Sequence, residues 1–246
     1  CDRVYVLKDG KNAGCFSHEE VTEEILRSRM VGREFHEEYY LISKQRKPAE
    51  KVVLELRDCT KKGSFYNVSF QLHQGEILSL CGTVGSGKEE LCRVLYGETK
   101  LNSGEIWIDG KRVNINSPSQ AFALGIGYIS EDRRNEGLIL HLPVFENITL
   151  PIIHRLIRGL LIKREEQFRL SQEMMTKLQI KAPSPLVLFF NLSWGNQQKV
   201  VIAKWLLSNM KILIMSHPTR GVDVGAKHEI YALIRELAEN GMAMII

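Results

Sequence analysis

Cys81-Gly82-Thr83-Val84-Gly85-Ser86-Gly87-Lys88 follows an apolar, strand-like run from Glu76 to Leu80 and reads G-x-x-x-x-G-K. Such a loop holds phosphates by aiming successive backbone N–H groups at their oxygens. Glycines such as Gly82, Gly85 and Gly87 permit close approach of the backbone around Ser86, and Lys88 reaches the terminal phosphates. The hydroxyl that usually follows the lysine and holds Mg²⁺ is missing, and Glu89 stands in its place. The stretch predicts a nucleotide site with altered handling of its metal.

On its own the pattern is weak, since G-x4-G-K arises by chance in roughly one in fifteen chains of this length. Context strengthens it. A strand precedes the loop, and a helical pattern follows from Lys88 to Tyr96, stopped by Gly97 at the position a helix C-terminus favours. The bland alternative at this point is a glycine-rich turn without a ligand.

Leu192-Ser193-Trp194-Gly195-Asn196-Gln197-Gln198-Lys199 resembles the signature loop of ATP-binding cassette (ABC) proteins, in the L-S-G-G-N-Q-Q-K form of the sugar-importer branch. The chemistry is again an anion site. The Ser193 hydroxyl and the Gly195 N–H lie at a predicted helix start, whose positive dipole end can face a γ-phosphate. Ser193 reads equally as an ordinary N-cap. Trp194 replaces the first of the paired glycines, a change in packing or at an interface. A P-loop kinase or GTPase does not account for this run.

Ile212-Leu213-Ile214-Met215-Ser216-His217-Pro218-Thr219-Arg220-Gly221-Val222-Asp223 resembles the Walker B and D-loop segment of the same family. Ser216 occupies the position of the metal-supporting aspartate, and His217 that of the glutamate that polarises the attacking water. A serine brings no charge to a hard divalent ion. Glu89, Ser216 and His217 all alter metal or water handling and leave Lys88 intact, so the resemblance implies ATP binding with impaired turnover. His217 remains a candidate base.

Further stretches are similar to the second cassette of tandem sugar-type ATPases. Tyr128 to Leu138 looks like a Y-x-P-E-D-R-K-x-x-G-L segment, which sets Glu131 or Asp132 near the γ-phosphate sensor, with a plain charged loop as the alternative. Asp223 and the helix after it resemble the D-V-G-A-K-x-E-I-Y stretch. Cys1 to Lys11 resembles a late hairpin of a first cassette with Asp9-Gly10 as its turn, and Met30-Val31-Gly32-Arg33-Glu34 the helix end before the linker. Residues 1–47 are thus expected to be the tail of an upstream cassette with a basic Lys44–Lys47 linker, and residues 48–246 a second cassette ending before the switch (H-loop) region. A lipidated N-terminal cysteine is the other reading of Cys1. For adenine stacking only Phe65 and Tyr66 lie nearby, and either reads equally as a strand residue entering the core.

The chain has 246 residues, 44% of them apolar, enough for a real core. A net charge of +4 with interleaved acids makes no nucleic-acid footprint. Five cysteines show no C-x-x-C pairing or zinc spacing. Leu150 to Ile162 is the most apolar stretch, too short and too basic to span a bilayer, and is assigned to a helical subdomain.

The fold expected is α/β: a P-loop NTPase ABC cassette with a mainly parallel sheet, a small antiparallel β part and a helical subdomain. The resemblance implies the ATP-binding part of an importer for a monosaccharide or related small polar solute, peripheral at the cytoplasmic face of the membrane. Its implied ligands are ATP and Mg²⁺. Its implied partners are an upstream cassette of the same chain, a permease and a solute-binding protein, with no nucleic acid. Ser193 and Gly195 would complete the upstream cassette's site, while Gly82, Gly85, Gly87 and Lys88 build the degenerate one; Ser86, Glu89, Gln197 and Asp223 are also expected to bind nucleotide. The competing readings are a non-hydrolysing regulatory or scaffold module and a decayed gene product.

Overall fold

The computed structural model describes residues 1–8, 11–31 and 47–246. Strands β1 (Arg3–Lys8) and β2 (Lys11–Ser17) pair antiparallel from Arg3 opposite Ser17 to Lys8 opposite Lys11, and helix α1 (Glu23–Val31) follows. The Thr22 hydroxyl accepts from the Ile25 N–H 3.2 Å away and so starts the helix. The Asp9-Gly10 turn, residues 32–34 of the expected helix end and residues 44–46 of the linker lie outside the described residues.

From residue 47 onward the chain builds two sheets. β3 (Val52–Lys61) and β4 (Phe65–His73) are followed by the short β5 (Ile77–Leu78), helix α2 (Lys88–Leu95), β6 (Ser103–Ile108) and β7 (Lys111–Val113). Helix α3 (Pro118–Ala123) has Ser117 as N-cap and proline at its start, as the sequence predicts, and leads to β8 (Ile126–Ile129). Next come α4 (Val144–Thr149), the small hairpin β9 (Ile157–Arg158) and β10 (Leu161–Ile162), and helices α5 (Arg164–Lys177) and α6 (Trp194–Leu207). β11 (Ile212–Met215), α7 (Val224–Glu239) and β12 (Ala243–Ile245) complete the order.

One sheet is antiparallel, ordered β4-β3-β6-β7; the other is parallel, ordered β5-β12-β11-β8. Every residue of β8, β11 and β12 is buried, the pattern of a parallel sheet covered on both faces. Strand alternation divides these residues between two cores. Ile212 and Ile214 join Ile126, Tyr128, Ala243 and Ile245 against α2 and the antiparallel sheet. Leu213 and Met215 join Ile129 and Met244 against α4, α6 and α7. The period of two in one short strand thus ties the two cores together.

Helix α2 ends as Gly97 predicts. The Gly97 N–H donates to the Val94 carbonyl and the Glu98 N–H to that of Arg93, with Gly97 at φ +80°, the paired bonds of a Schellman motif. The Leu150–Ile162 stretch departs from a helical assignment. After a 3₁₀ segment (Leu150–Arg155) it turns back on itself as β9 and β10, because Gly159 at φ +63° permits a two-residue turn that breaks helical periodicity. Phe65 is also no base platform: it is 6% exposed within the core beside α2, and Tyr66 is the aromatic left at the surface.

Candidate nucleotide site

β5 and β11 both end on the same edge of the parallel sheet, and the loops leaving their carboxyl ends meet. This is where open α/β sheets place ligands. From Leu80 the chain runs through exposed Gly82, Thr83, Val84, Gly85 and Ser86 into α2. Gly87 is the N-cap at φ +90°, with no side chain to occupy the first N–H groups of the helix. A Cβ there would sit 2.4 Å from the Ser64 carbonyl oxygen and 3.1 Å from the Phe65 Cβ, so only glycine fits. Gly85, at φ +83°, faces open space.

Lys88 is occupied by its own neighbours. Its Nζ lies 2.9 Å from Glu89 Oε1 and 3.3 Å from His217 Nε2. The hydrogen bond from Lys88, with help from its own backbone N–H and the nearby charges, holds the Glu89 carboxyl below the usual carboxylate range. Glu89 is therefore an anion next to the cation that should meet phosphate. His217 reaches this point because its backbone is left-handed, at φ +50°, directly after the buried strand β11. Half-buried Ser216 prolongs the β11–β8 ladder, its N–H donating to the Ile129 carbonyl 2.8 Å away. Lys88, Glu89, Ser216 and His217 share an open cleft of ≈ 1270 Å³ whose far side includes Gln74, Tyr231 and Arg235.

None of Ser193 to Lys199 lines that cleft. Ser193 is exposed at the start of α6, but its hydroxyl does not cap the helix: it accepts from the Asn196 amide 2.9 Å away. Gly195 is buried, and a Cβ there would fall 2.7 Å from the Ala226 Cβ on α7. Gln197 is turned inward at 2% exposure, its amide donating to the Leu192 carbonyl at 3.0 Å, so it shapes the loop from behind. Asp223 is exposed and caps α7, accepting from the Ala226 N–H at 2.8 Å.

The charged loop after β8 has partners that sequence reasoning missed. Glu131 pairs with Arg220 at 2.6 Å, Ser130 bonds Glu136, and Glu136 lies 3.6 Å from Arg93 on α2. On the other side, Lys204 of α6 donates to the Gly137 carbonyl at 2.6 Å. One loop is therefore tied to the helix after the phosphate loop, to the segment after β11 and to the helix after Ser193. The residues that tie it lie far along the chain, and no local spacing announces them.

Burial pushes the Lys204 ammonium down to about 8. A lowered lysine costs the fold stability while it is charged, and that cost is relieved as pH rises from about 8 toward its ordinary 10.5. Cys92, pushed up to about 11, and Tyr128, up to about 12, act in the opposite sense. They are common to a Lys204→Met variant, so the difference between the two proteins isolates Lys204. Urea denaturation should show the native chain gaining about 2 kcal/mol on Lys204→Met between about pH 7 and pH 10. A constant difference would mean that the Lys204 ammonium stays hydrated and charged in the native chain as it is in the unfolded one.

A phosphate loop at a strand–helix junction, a β11 loop converging on its lysine and a serine-led helix start set apart from both define a nucleotide-binding cassette. The ABC transporter family profile matches residues 65–220. The chain is 42% identical over 246 residues to the ribose import ATP-binding protein RbsA of Bacillus subtilis (strain 168), and 43% to that of Geobacillus kaustophilus (strain HTA426). All of this chain and 49% of each relative is covered, so the chain spans about half the length of these relatives. Among solved structures it resembles the dimeric structure of MJ0796, a bacterial ABC transporter cassette, with TM-score 0.64 and 26% identity over 78% of this chain and 86% of that one. It also resembles MJ1267, an ATP-binding cassette of an ABC transporter, with TM-score 0.67 and 22% identity over 79% and 81%. The chain belongs to the ABC transporter family.

Proposed function

We propose that residues 48–246 form the second nucleotide-binding cassette of an importer ATPase for ribose or a related small polar solute, with residues 1–47 carrying the end of an upstream cassette. ATP binding and hydrolysis would drive transport through a permease fed by a solute-binding protein. The ATPase would sit peripherally at the cytoplasmic face of the membrane; no helix among the described residues is long and apolar enough to cross it.

The observation that carries this reading is the separation of Ser193 and Gly195 from the cleft holding Lys88. An exposed serine at a helix start that lies apart from its own phosphate loop suits a nucleotide held by a second cassette. In phosphoryl transfer, positioning and charge supply most of the stabilisation, so this half would contribute to turnover at its partner's site even with little of its own.

Its own site is the weak one. Mg²⁺ takes hard oxygen donors, usually one or two carboxylates with phosphate and water. At the matching positions stand Ser216, without charge, and Glu89, already committed to Lys88; among the described residues no group of three or more His, Cys, Asp or Glu side chains is placed to hold a metal. This donor set does not suit Mg²⁺, and His217 beside a lysine ammonium is poorly placed to take a proton from water. ATP would bind here weakly and leave unhydrolysed.

The deciding experiment is steady-state ATP hydrolysis by the longer parent protein with and without Ser193→Arg, which fills the signature loop and leaves Lys88 untouched. Turnover is expected to fall about a hundredfold, the scale of losing a positioned donor. Unchanged turnover would sink the composite site and leave a scaffold role.

A further inference from the structure

The β9–β10 hairpin is the most exposed apolar feature of the described chain. Ile157 is 48% exposed, Leu160 fully exposed and Leu161 76% exposed. Ile157 pairs with Ile162 and Arg158 with Leu161, so apolar side chains stand on both faces of the hairpin as well as at its tip. Folding does not account for this. A hairpin of two-residue strands has almost no stability of its own in water, and this one is held at its root, where Leu156 is 2% exposed and its carbonyl accepts from the Lys163 N–H at 2.9 Å. The protein thus presents a small, anchored wedge of leucine and isoleucine to its surroundings.

Charge selects what the wedge meets. From Leu150 to Arg164 there is no acidic residue, while Arg155, Arg158, Lys163 and Arg164 flank the apolar tip. Lys163 pairs with Glu166 and Arg164 with Glu146, but neither Arg155 nor Arg158 has an ion-pair partner among the described residues, and both are exposed. Whatever receives Leu160 must also meet the exposed guanidinium groups of Arg155 and Arg158. An anionic bilayer satisfies both parts at once: acyl chains and glycerol backbone for the leucines, phosphate headgroups for the arginines. Length agrees as well, since two strand residues reach about 7 Å, within the roughly 5–10 Å to which interfacial elements sink.

We propose that the hairpin of residues 157–162 is a lipid-contacting wedge, through which this cassette touches an anionic membrane surface directly. The contact would be reversible and orienting, one short apolar insertion reinforced by two cations, and it needs no nucleotide and no transmembrane partner.

The test is co-sedimentation of the full chain with vesicles of phosphatidylcholine mixed with phosphatidylglycerol, compared with phosphatidylcholine alone. The chain should sediment with the anionic vesicles, release as salt is raised, and stay in solution with the neutral ones. Leu160→Ser with Leu161→Ser should lower partitioning about tenfold or more. Arg155→Gln with Arg158→Gln should lower it about 25-fold, about fivefold for each cation lost. All four side chains are exposed, so the thermal midpoint should not move, and a binding loss in either variant cannot be ascribed to unfolding. Absence of sedimentation overturns the proposal, as does equal partitioning to neutral vesicles, which would indicate a generally sticky apolar surface suited to a protein partner. Partitioning unchanged in both variants overturns it too, by placing the lipid contact elsewhere.

Discussion

Glu89→Thr combined with Ser216→Asp is expected to raise the affinity of this chain for Mg²⁺-ATP about a hundredfold, or about 2.7 kcal/mol. In the native chain Glu89 faces the phosphate position as an anion and holds Lys88 at 2.9 Å. Two unit charges about 4 Å apart near a protein surface interact by about 4 kcal/mol, so a triphosphate must both break the Lys88 pair and tolerate the carboxylate. Threonine removes the anion, frees the ammonium and supplies a metal-ligating hydroxyl; aspartate at 216 supplies the charge that Ser216 lacks. The metal dependence separates these contributions. Glu89→Thr alone should improve binding with or without Mg²⁺, whereas adding Ser216→Asp should help only when Mg²⁺ is present and hurt in a chelator, where the new carboxylate meets the phosphates unshielded. Calorimetric titration of native, single and double variants, with Mg²⁺ or EDTA, reads all of these. Native binding as tight as the double variant's would remove the degenerate-site reading.

Gly87→Ala should be the most damaging single methyl group in the phosphate loop. The residue holds φ +90°, where an L side chain is strained, and the methyl would lie 2.4 Å from a main-chain oxygen that belongs to another strand connection and cannot rotate aside. Strain and steric displacement together should cost about 3 kcal/mol and lower the melting temperature by about 8 °C, with nucleotide binding lost because the first turn of α2 moves. Gly85→Ala is the control. It has a similar positive φ but nothing within reach of the added methyl, so it should cost only about 1 kcal/mol. Equal costs at the two positions would show that the loop rearranges freely and that Ser64 does not fix it.

The parallel sheet was readable because its strands are short apolar runs with turn residues on either side: Ile212 to Met215 forms a strand over the residues its composition suggests. The phosphate loop was readable because its three glycines and lysine, a weak pattern alone, stand between a strand and a helix. The state of the site was harder to read. That Lys88 is held by His217 as well as by its neighbour Glu89 depends on a left-handed backbone at His217 and on β5 and β11 ending at the same end of the parallel sheet, with β12 between them, across 129 positions of sequence. Separations of 67 and 89 positions hide Lys204 and Arg220 as partners of the loop after β8. Gln197 looked like a ligand because its motif is a ligand motif, yet its amide serves the Leu192 carbonyl. At Leu150 to Ile162 composition misled, since an apolar run with no period does not reveal that Gly159 folds it into a hairpin.

The missing side chain at Gly195 gears two helices together. With Ala226 pressed into the space a Cβ would take, α6 and α7 touch at their first turns, and Asp223 grips the same residue through its N–H. Asp223 and Ser193, the residues that precede the two helices, are thus joined through one close contact between Ala226 and Gly195. A bulkier residue at 195 would leave both motifs chemically intact while forcing the two helix starts apart.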